Sequence, residues 1–167
     1  MRKQRKKCLV LLSITVLLLF TAVFAEKLCP YDPYAQDLSI SMKAPTLAHP
    51  FGTDRYGRDL LSRVLAGSTV SIFSTLLLIA IVTVLGTAMG LFCGWYGGRL
   101  DSILMRISDL FLAFPGLVFA LAVAGVLGGG IQNAVFALML IGWPKFARLA
   151  RSLTLAQKKS TYLMAAK

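Results

Sequence analysis

Residues 64–98 read VLAGSTVSIFSTLLLIAIVTVLGTAMGLFCGWYGG and contain no charged side chain. An apolar run of this length exceeds the roughly 20 residues that an α-helix needs to cross a membrane. The spanning part is expected at residues 70–93, where Ile, Leu and Val dominate. Small residues on its second half allow another helix to approach closely: Gly86, Ala88, Gly90 and Gly94. The sequence therefore predicts a transmembrane helix in this stretch.

The composition of the whole chain agrees with this interpretation. Of the 167 residues, 57% are hydrophobic and only 15% are charged, whereas a soluble domain carries about a quarter charged residues. The net charge of +11 would suit a nucleic-acid-binding module only if the cations shared one folded basic face. Here they sort by loop, which argues against nucleic acid as a partner and for membrane topology.

Upstream of this helix, the chain begins with a basic block and an apolar run. Five of the first seven residues are Lys or Arg, and residues 8–25 are uncharged. A cleavable signal peptide is one interpretation, but the apolar run is longer than a usual signal core. We favour an uncleaved first transmembrane helix within residues 1–25, with the basic start in the cytoplasm.

Residues 26–69 are expected to form an extracytoplasmic loop. Four prolines make it turn-rich, and its five cations balance five anions. Near its end, Thr53 or Asp54 is expected to cap an amphipathic helix that ends near Gly67 and lies at the membrane surface. His49 is interpreted as a solvated loop histidine, because no second metal ligand stands at a suitable spacing.

Downstream, a short charged loop leads into a second uncharged run at residues 110–144. In the loop, Arg106 and Asp109 are three residues apart, so a pair between them on a helix surface is expected. The glycines at 128–130 divide the long run into two helices, at residues 102–127 and from residue 131 past 143. Pro115 lies inside the first and predicts a kink there.

The loops can now be placed on two sides of a membrane. Thirteen of the 18 Lys and Arg residues fall on one side if four helices cross, and the rule that cytoplasmic loops are positive is met at each loop. The predicted fold is an all-α polytopic membrane helix bundle. Its third part, residues 70–167, forms the core and ends in a basic cytoplasmic segment.

No motif of an enzyme is present. The chain lacks a Walker A loop, HExxH and GxSxG, so no catalytic residue, cofactor or metal site is predicted. The predicted spans also lack the ionisable residues that ion-coupled carriers generally use. Any energy for transport is therefore expected from a partner, and the basic segment 143–167 is interpreted as the surface on which that partner docks.

Three motifs, in order, resemble one known family. Residues 52–63 read GTDRYGRDLLSR, residues 113–115 read AFP after RISD at 106–109, and residues 143–151 read WPKFARLAR. Together they are similar to the permease subunits of peptide/nickel-type ABC importers, over nearly the whole chain from Tyr31. The outer motif comprises Gly52, Thr53, Asp54, Gly57, Arg58, Asp59 and Arg63.

The resemblance implies a complex in a prokaryotic cell membrane. The chain would pair with a homologous permease subunit, bind two cytosolic ATPases and receive solute from an extracytoplasmic binding protein. The ATPase-coupling residues would be Arg148, Arg151, Ser160, Tyr162, Met164, Ala165 and Ala166, with a short docking helix near residues 160–166. Phe114, Pro115 and Gly116 would form a kink beside the pathway.

The chain departs from the family pattern in places. Met164 stands where the coupling loop usually has Glu, Thr69 stands where Arg is frequent, and the chain ends before two of six expected spans. We therefore expect a truncated form, a fragment or a frameshifted product. Peptides and nickel are both possible solutes. The alternatives are a small channel or secondary carrier, or a membrane assembly subunit that transports nothing.

Overall fold

The structure is a computed structural model that describes residues 2–158, with side chains from residue 4 onward. It contains six α-helices: α1 (Arg2–Val23), α2 (Ala25–Leu28), α3 (Leu60–Tyr96), α4 (Gly98–Ala113), α5 (Gly116–Val126) and α6 (Ile131–Lys158). A short 3₁₀ helix, Leu38–Ile40, lies in the loop before α3. Within the described range no β-strand forms, and Thr53 and Asp59 make an isolated bridge. The all-α prediction is confirmed.

The chain divides into two compact units, residues 1–73 and 74–167, with the boundary inside α3. In the first unit, α1 is one helix whose apolar side chains are exposed, as expected of a helix in contact with lipid. Ala22 near the end of α1 and Ala25 at the start of α2 are buried. The Thr69 hydroxyl donates a hydrogen bond of 2.8 Å to the carbonyl of Ala22, which joins α3 to the end of α1.

The start of α3 differs from the sequence expectation. The helix runs without interruption from Leu60 through Gly67 to Tyr96, so the prediction of a separate amphipathic helix ending near Gly67 is wrong. A single glycine costs a helix only about 1 kcal/mol, and here the apolar residues on both sides continue the helix. Its N-cap is Asp59, whose carboxylate accepts a hydrogen bond of 2.7 Å from the Ser62 N–H. Thr53 and Asp54 do not cap it.

In the second unit, α3 packs against α6 through a stripe of glycines. A side chain at Gly86, Gly90 or Gly94 would collide with α6, because an added Cβ would lie within 2.7 Å of its atoms. Ala147 and Ala150, which face this stripe, are buried. The predicted close approach at these three glycines is confirmed, whereas Ala88 is exposed and takes no part.

The helices at residues 98–126 bend far more sharply than predicted. Instead of one kinked helix at residues 102–127, α4 ends at Ala113, α5 begins at Gly116, and their axes differ by 91°. Phe114 is extended because a residue before proline disfavours the α conformation. Pro115 itself offers no N–H donor to continue the ladder.

The triple-glycine turn is placed as predicted. Gly128, Gly129 and Gly130 all have positive φ, a conformation that costs glycine little. The Asn133 side-chain amide donates hydrogen bonds to the carbonyls of Leu127 and Gly129, at 2.7 and 2.6 Å. These bonds hold the turn that joins α5 to α6, and α6 then continues through a buried Pro144 to Lys158.

Two helices among the described residues are long and apolar enough to cross a membrane, at Gln4–Val23 and Leu60–Tyr96. The bent pair α4 and α5 brings the number to three if it forms one span. The sequence prediction of about four spans adds α6 to these three. In α6 the apolar stretch is short because Gln132 and Asn133 precede it, and Pro144 and Lys145 follow it.

The α3–α6 contact gives a matched pair of substitutions. We expect Gly90→Ala to lower stability by about 1–3 kcal/mol, because its Cβ would collide with the Ala147 carbonyl oxygen. The control Gly67→Ala has no heavy atom within 4 Å and should leave stability unchanged or raise it by up to roughly 1 kcal/mol. Unfolding of the purified chain in a detergent titration measures both. Equal behaviour of the two variants would contradict the packing described.

Candidate functional site

Two ion pairs join α4 to α6 in the second unit. In the first, the Arg151 guanidinium donates two hydrogen bonds of 2.6 Å to the two carboxylate oxygens of Asp101. The Asp101 side chain is only 12% exposed, and that of Arg151 is 32% exposed. A two-pronged pair of this kind fixes both the distance and the orientation of the two helices. It is the better shielded of the two pairs.

The second ion pair lies two helical turns further along α4. Asp109 pairs with Arg148, and both side chains are about half exposed. The expected pair between Arg106 and Asp109 is therefore wrong: Asp109 turns towards α6, where Arg148 is available. Arg148 and Arg151, two of the proposed coupling residues, are thus held by α4. The other five proposed coupling residues, from Ser160 to Ala166, lie outside the described residues.

A third contact closes the end of α6 onto α3. The Lys158 ammonium donates a hydrogen bond of 2.5 Å to the carbonyl of Trp95, in the last turn of α3, and lies 6.0 Å from the centre of the Trp95 ring. Carbonyls at a helix C-terminus lack helical partners and attract cations. The basic end of α6 is therefore tied to both α3 and α4.

Around the break at Pro115, aromatic rings and a concavity come together. The Phe111 ring meets Phe119 edge-on at 5.8 Å and Trp143 at 6.0 Å between ring centres. A concavity of about 450 Å³ is lined by α4, α5 and α6, including Phe114 and Gly116, with Lys145 as its charged member. The predicted kink residues thus lie beside an open, mainly apolar surface.

In the first unit, the outer motif folds back on itself. Gly52 and Gly57 have positive φ, and a Cβ at Gly57 would overlap the carbonyl of Asp37. The Thr53 hydroxyl donates to the Ile40 carbonyl and accepts a hydrogen bond of 3.0 Å from the Lys43 N–H. These residues close the loop at residues 38–59 rather than pointing outward as a binding site.

Asp54 is the hub of this loop. Its carboxylate accepts hydrogen bonds from the N–H groups of Tyr56 and Arg58, at 2.8 and 3.1 Å, and pairs with the Arg58 guanidinium at 2.7 Å. Arg63 approaches the same carboxylate at 3.7 Å. Desolvation by itself would raise the pKa of Asp54, but the hydrogen bonds from Arg58 and Tyr56 outweigh it and lower that pKa to about 2.

Asp59 is the second hub, and sequence reasoning missed its partners. Besides the Ser62 N–H, it accepts hydrogen bonds of 2.7 Å from the Ser62 hydroxyl and 3.0 Å from His49. Desolvation opposes the charge, yet the bonds from Ser62 and His49 prevail and lower the pKa of Asp59. The interpretation of His49 as solvated is wrong, since its side chain is 16% exposed and its ring lies 4.7 Å from that of Tyr31.

Six of the seven residues of the outer motif lie in one folded loop, where they hold its turns and cap α3, and Arg63 lies within α3. Ser62 belongs to the motif at residues 52–63 but is absent from the predicted site residues. It is buried, and its hydroxyl oxygen accepts a hydrogen bond of 3.2 Å from the Tyr31 N–H. Its place three residues after Asp59 is the signal that could have identified it, because a capping carboxylate commonly binds the third residue of a helix. Across the described residues, no group of three metal-ligating side chains occurs.

The chain is similar to membrane components of binding-protein-dependent transport systems. Residues 86–167 match the family model of the binding-protein-dependent transport system inner membrane component. The chain is 44% identical, over 92% of its length, to the probable D,D-dipeptide transport system permease protein DdpC of Escherichia coli (strain K12), of which it covers 52%.

Two further relatives are named for the transport of other solutes, glutathione and nickel. The chain is 39% identical, over 91% of its length, to the glutathione transport system permease protein GsiD of Pectobacterium atrosepticum, and covers 51% of it. It is 36% identical, over 93% of its length, to the nickel transport system permease protein NikC of Escherichia coli (strain K12), and covers 56% of it. The chain thus spans about half the length of these relatives.

The Asp101–Arg151 pair is testable with a double-mutant cycle. We expect Arg151→Gln to lower the free energy of unfolding more than Arg148→Gln does, because it leaves the Asp101 carboxylate, which is more buried than that of Asp109, without its partner. The coupling between Asp101→Asn and Arg151→Gln should be about 2 kcal/mol, against less than about 1 kcal/mol for the exposed Asp109 and Arg148. Detergent unfolding of the four single and two double variants measures both. Equal couplings would show that burial does not distinguish the pairs.

The pKa of Asp54 predicts how the outer loop responds to acid. Since the folded pKa is about 2 and an unfolded Asp has a pKa of about 3.9, its stabilisation is complete above about pH 5 and is lost as the pH falls towards 2. Amide hydrogen exchange at Tyr56 and Arg58, corrected for intrinsic rates, should lose protection over that window. Asp54→Asn should remove this pH dependence, and a midpoint at the ordinary pKa of Asp would contradict it.

Proposed function

Because residues 86–167 match the model of the binding-protein-dependent transport system inner membrane component, we propose that the chain is a permease subunit of an ATP-driven importer. It forms part of the translocation pathway together with a homologous permease subunit. Two cytosolic ATPases dock on its cytoplasmic segment, and an extracytoplasmic binding protein delivers solute. The relatives are named as transport permeases, and ATP hydrolysis belongs to the partner in this proposal.

The observation that carries this proposal is the connection of α6 to its neighbours. α6 runs as one helix from the triple-glycine turn to Lys158. Its basic end is joined to α4 by Asp101–Arg151 and to α3 by Lys158. A displacement applied at the end of α6 is therefore passed to two other helices as rigid bodies.

The lack of ionisable residues in the apolar helices supports an energy source on a partner subunit. α5 and the part of α3 after Arg63 carry no Asp, Glu, Lys, Arg or His. A carrier driven by an ion gradient generally needs such a group to bind or release the driving ion. In this proposal, the ATPases move the helices, while the chain supplies a path whose surface near Pro115 is mainly apolar.

We assign the proposed residues to roles within this scheme. Residues 160–166, including Ser160, Tyr162, Met164, Ala165 and Ala166, dock the ATPase. Arg148 and Arg151 act as positioning residues through their pairs with α4, and the break at Phe114–Gly116 allows α5 to move relative to α4. The outer motif orders the extracytoplasmic loop, with the N-terminus on the cytoplasmic side.

The solute class follows from the relatives and not from a recognised site. Their names specify a D,D-dipeptide, glutathione and nickel. We propose a small peptide or nickel for this chain, selected mainly by the external binding protein. The concavity beside Pro115 offers an apolar wall and a single cation, which suits passage rather than tight selection.

Co-purification tests the proposal directly. A tagged chain, extracted from the membranes in which it is made, should bring with it a second permease and two ATPase subunits. A small channel or secondary carrier would be recovered without ATPases, and an assembly subunit would bring partners that do not hydrolyse ATP. Either of the last two results would overturn the proposal.

A single substitution tests the docking segment. We expect Ala165→Asp to reduce ATPase recovery at least tenfold, because it places a charge in a surface that must be desolvated on docking, while the sister permease is retained. Ala165→Ser, small and uncharged, is the matched control and should bind normally. Undiminished ATPase recovery with Ala165→Asp would exclude this segment as the docking site.

A further inference from the structure

We propose that α4 is not half of a transmembrane span but lies in the plane of the membrane surface, where Arg99 and Arg106 bind the headgroups of anionic phospholipids. This inference rests on the membrane location that the proposed function requires. It adds a lipid-binding surface to the chain. Three observations carry it: the bend between α4 and α5, the two faces of α4, and the local balance of charge.

The bend decides which helix can enter the membrane. The axes of α4 and α5 differ by 91°, so the two cannot both run along the membrane normal. α5 carries no charged residue, whereas α4 carries Arg99, Asp101, Arg106 and Asp109. Burying charged side chains in hydrocarbon is costly. α5 is therefore the helix that enters the membrane, and α4 is left parallel to its surface.

The exposed half of α4 has the pattern of an interfacial helix. Arg99, Ile103, Arg106 and Leu110 follow one another at intervals of four, three and four residues and so share a face. Beside them lie Leu100 and Ile107, and these four apolar side chains are 39% to 65% exposed. Asp101 and Ser108 lie on the opposite, buried face, where Asp101 binds Arg151 on α6. Apolar side chains next to exposed cations suit the boundary between acyl chains and headgroups.

The charges around α4 leave its two arginines for an external anion. Asp101 and Asp109 are the only acidic residues in the second half of the chain, at residues 74–167. Arg151 and Arg148 already bind them, and among residues 2–158 neither Arg99 nor Arg106 forms an ion pair. Residues 159–167 contain two lysines and no Asp or Glu.

An open concavity of about 580 Å³ is lined by Arg99, Ser102, Ile103 and Arg106 together with Gly98 and Asp101. The Asp101 carboxylate there is already bound by Arg151. Phosphate is the anion that membranes present in quantity, and arginine binds it with two parallel hydrogen bonds. The neighbouring end of α3 carries exposed Trp95 and Tyr96, residues that concentrate at membrane interfaces. Position and chemistry thus agree on a lipid headgroup.

The orientation of α4 can be measured by spin-label depth scanning. Single cysteines at positions 100, 102, 103, 107, 109 and 110 are introduced into the full chain with Cys8, Cys29 and Cys93 replaced. The labelled proteins are reconstituted in vesicles of phosphatidylcholine and phosphatidylglycerol at 3:1. We expect positions 100, 103, 107 and 110 at a common shallow depth, and 102 and 109 nearer water. A steady gradient of about 1.5 Å per residue would mean that α4 spans, and would overturn the proposal.

The headgroup contact needs a second measurement. Energy transfer from a fluorophore at position 103 to labelled phosphatidylglycerol, relative to labelled phosphatidylcholine, reports local enrichment. We expect at least twofold enrichment, lost in Arg99→Gln/Arg106→Gln and kept in Arg99→Lys/Arg106→Lys. Absence of enrichment, or enrichment unchanged by the glutamines, would overturn the lipid contact.

The same vesicles separate this proposal from its competitors. If the labels on α4 become shielded only when ATPase subunits are added, the face belongs to a protein partner and the lipid assignment is wrong. If the tagged chain recovers no ATPase but the labels at positions 100, 103, 107 and 110 lie at a common shallow depth, the permease proposal is overturned and the orientation proposed for α4 is supported. The two proposals therefore fail on different results.

Discussion

The pair between Asp101 and Arg151 is the constraint on which the arrangement of the second unit depends. Its two hydrogen bonds fix α4 against α6, and a mostly buried carboxylate tolerates no loss of its partner. The glycine stripe on α3 then permits the backbone of α6 to come close on another side. Neither contact would define the unit alone. The glycines allow the helices to approach closely but do not fix their relative orientation, whereas the ion pair fixes the orientation but buries little surface.

Much of the fold follows from local patterns in the sequence. The uncharged run at residues 64–98 places the main spanning helix, and Gly128–Gly130 places the turn between α5 and α6. Gly86, Gly90 and Gly94 identify a contact face because their spacing of four residues is that of a helix. These signals are readable because each depends on residues close together in the chain.

The incorrect predictions from the sequence have a common cause: residues distant in the chain compete with near neighbours as interaction partners. Asp109 has Arg106 within one turn but binds Arg148, almost forty residues away. His49 lies in a polar stretch but is drawn inward by Asp59 and Tyr31. The angle at Pro115 also depends on packing, since a proline predicts that a helix is interrupted but not by how much. Sequence patterns name the groups that need partners, while the fold decides which partners they obtain.

The contact between Lys158 and Trp95 has a practical consequence for spectroscopy. The chain has two tryptophans, Trp95 and Trp143, and both belong to residues 74–167. Trp95 lies beside a cation at the end of α6, and Trp143 contacts the ring of Phe111 next to the bend. Intrinsic tryptophan emission therefore reports on this part of the molecule alone, and selective changes in it register events at the tip of α6 without any label.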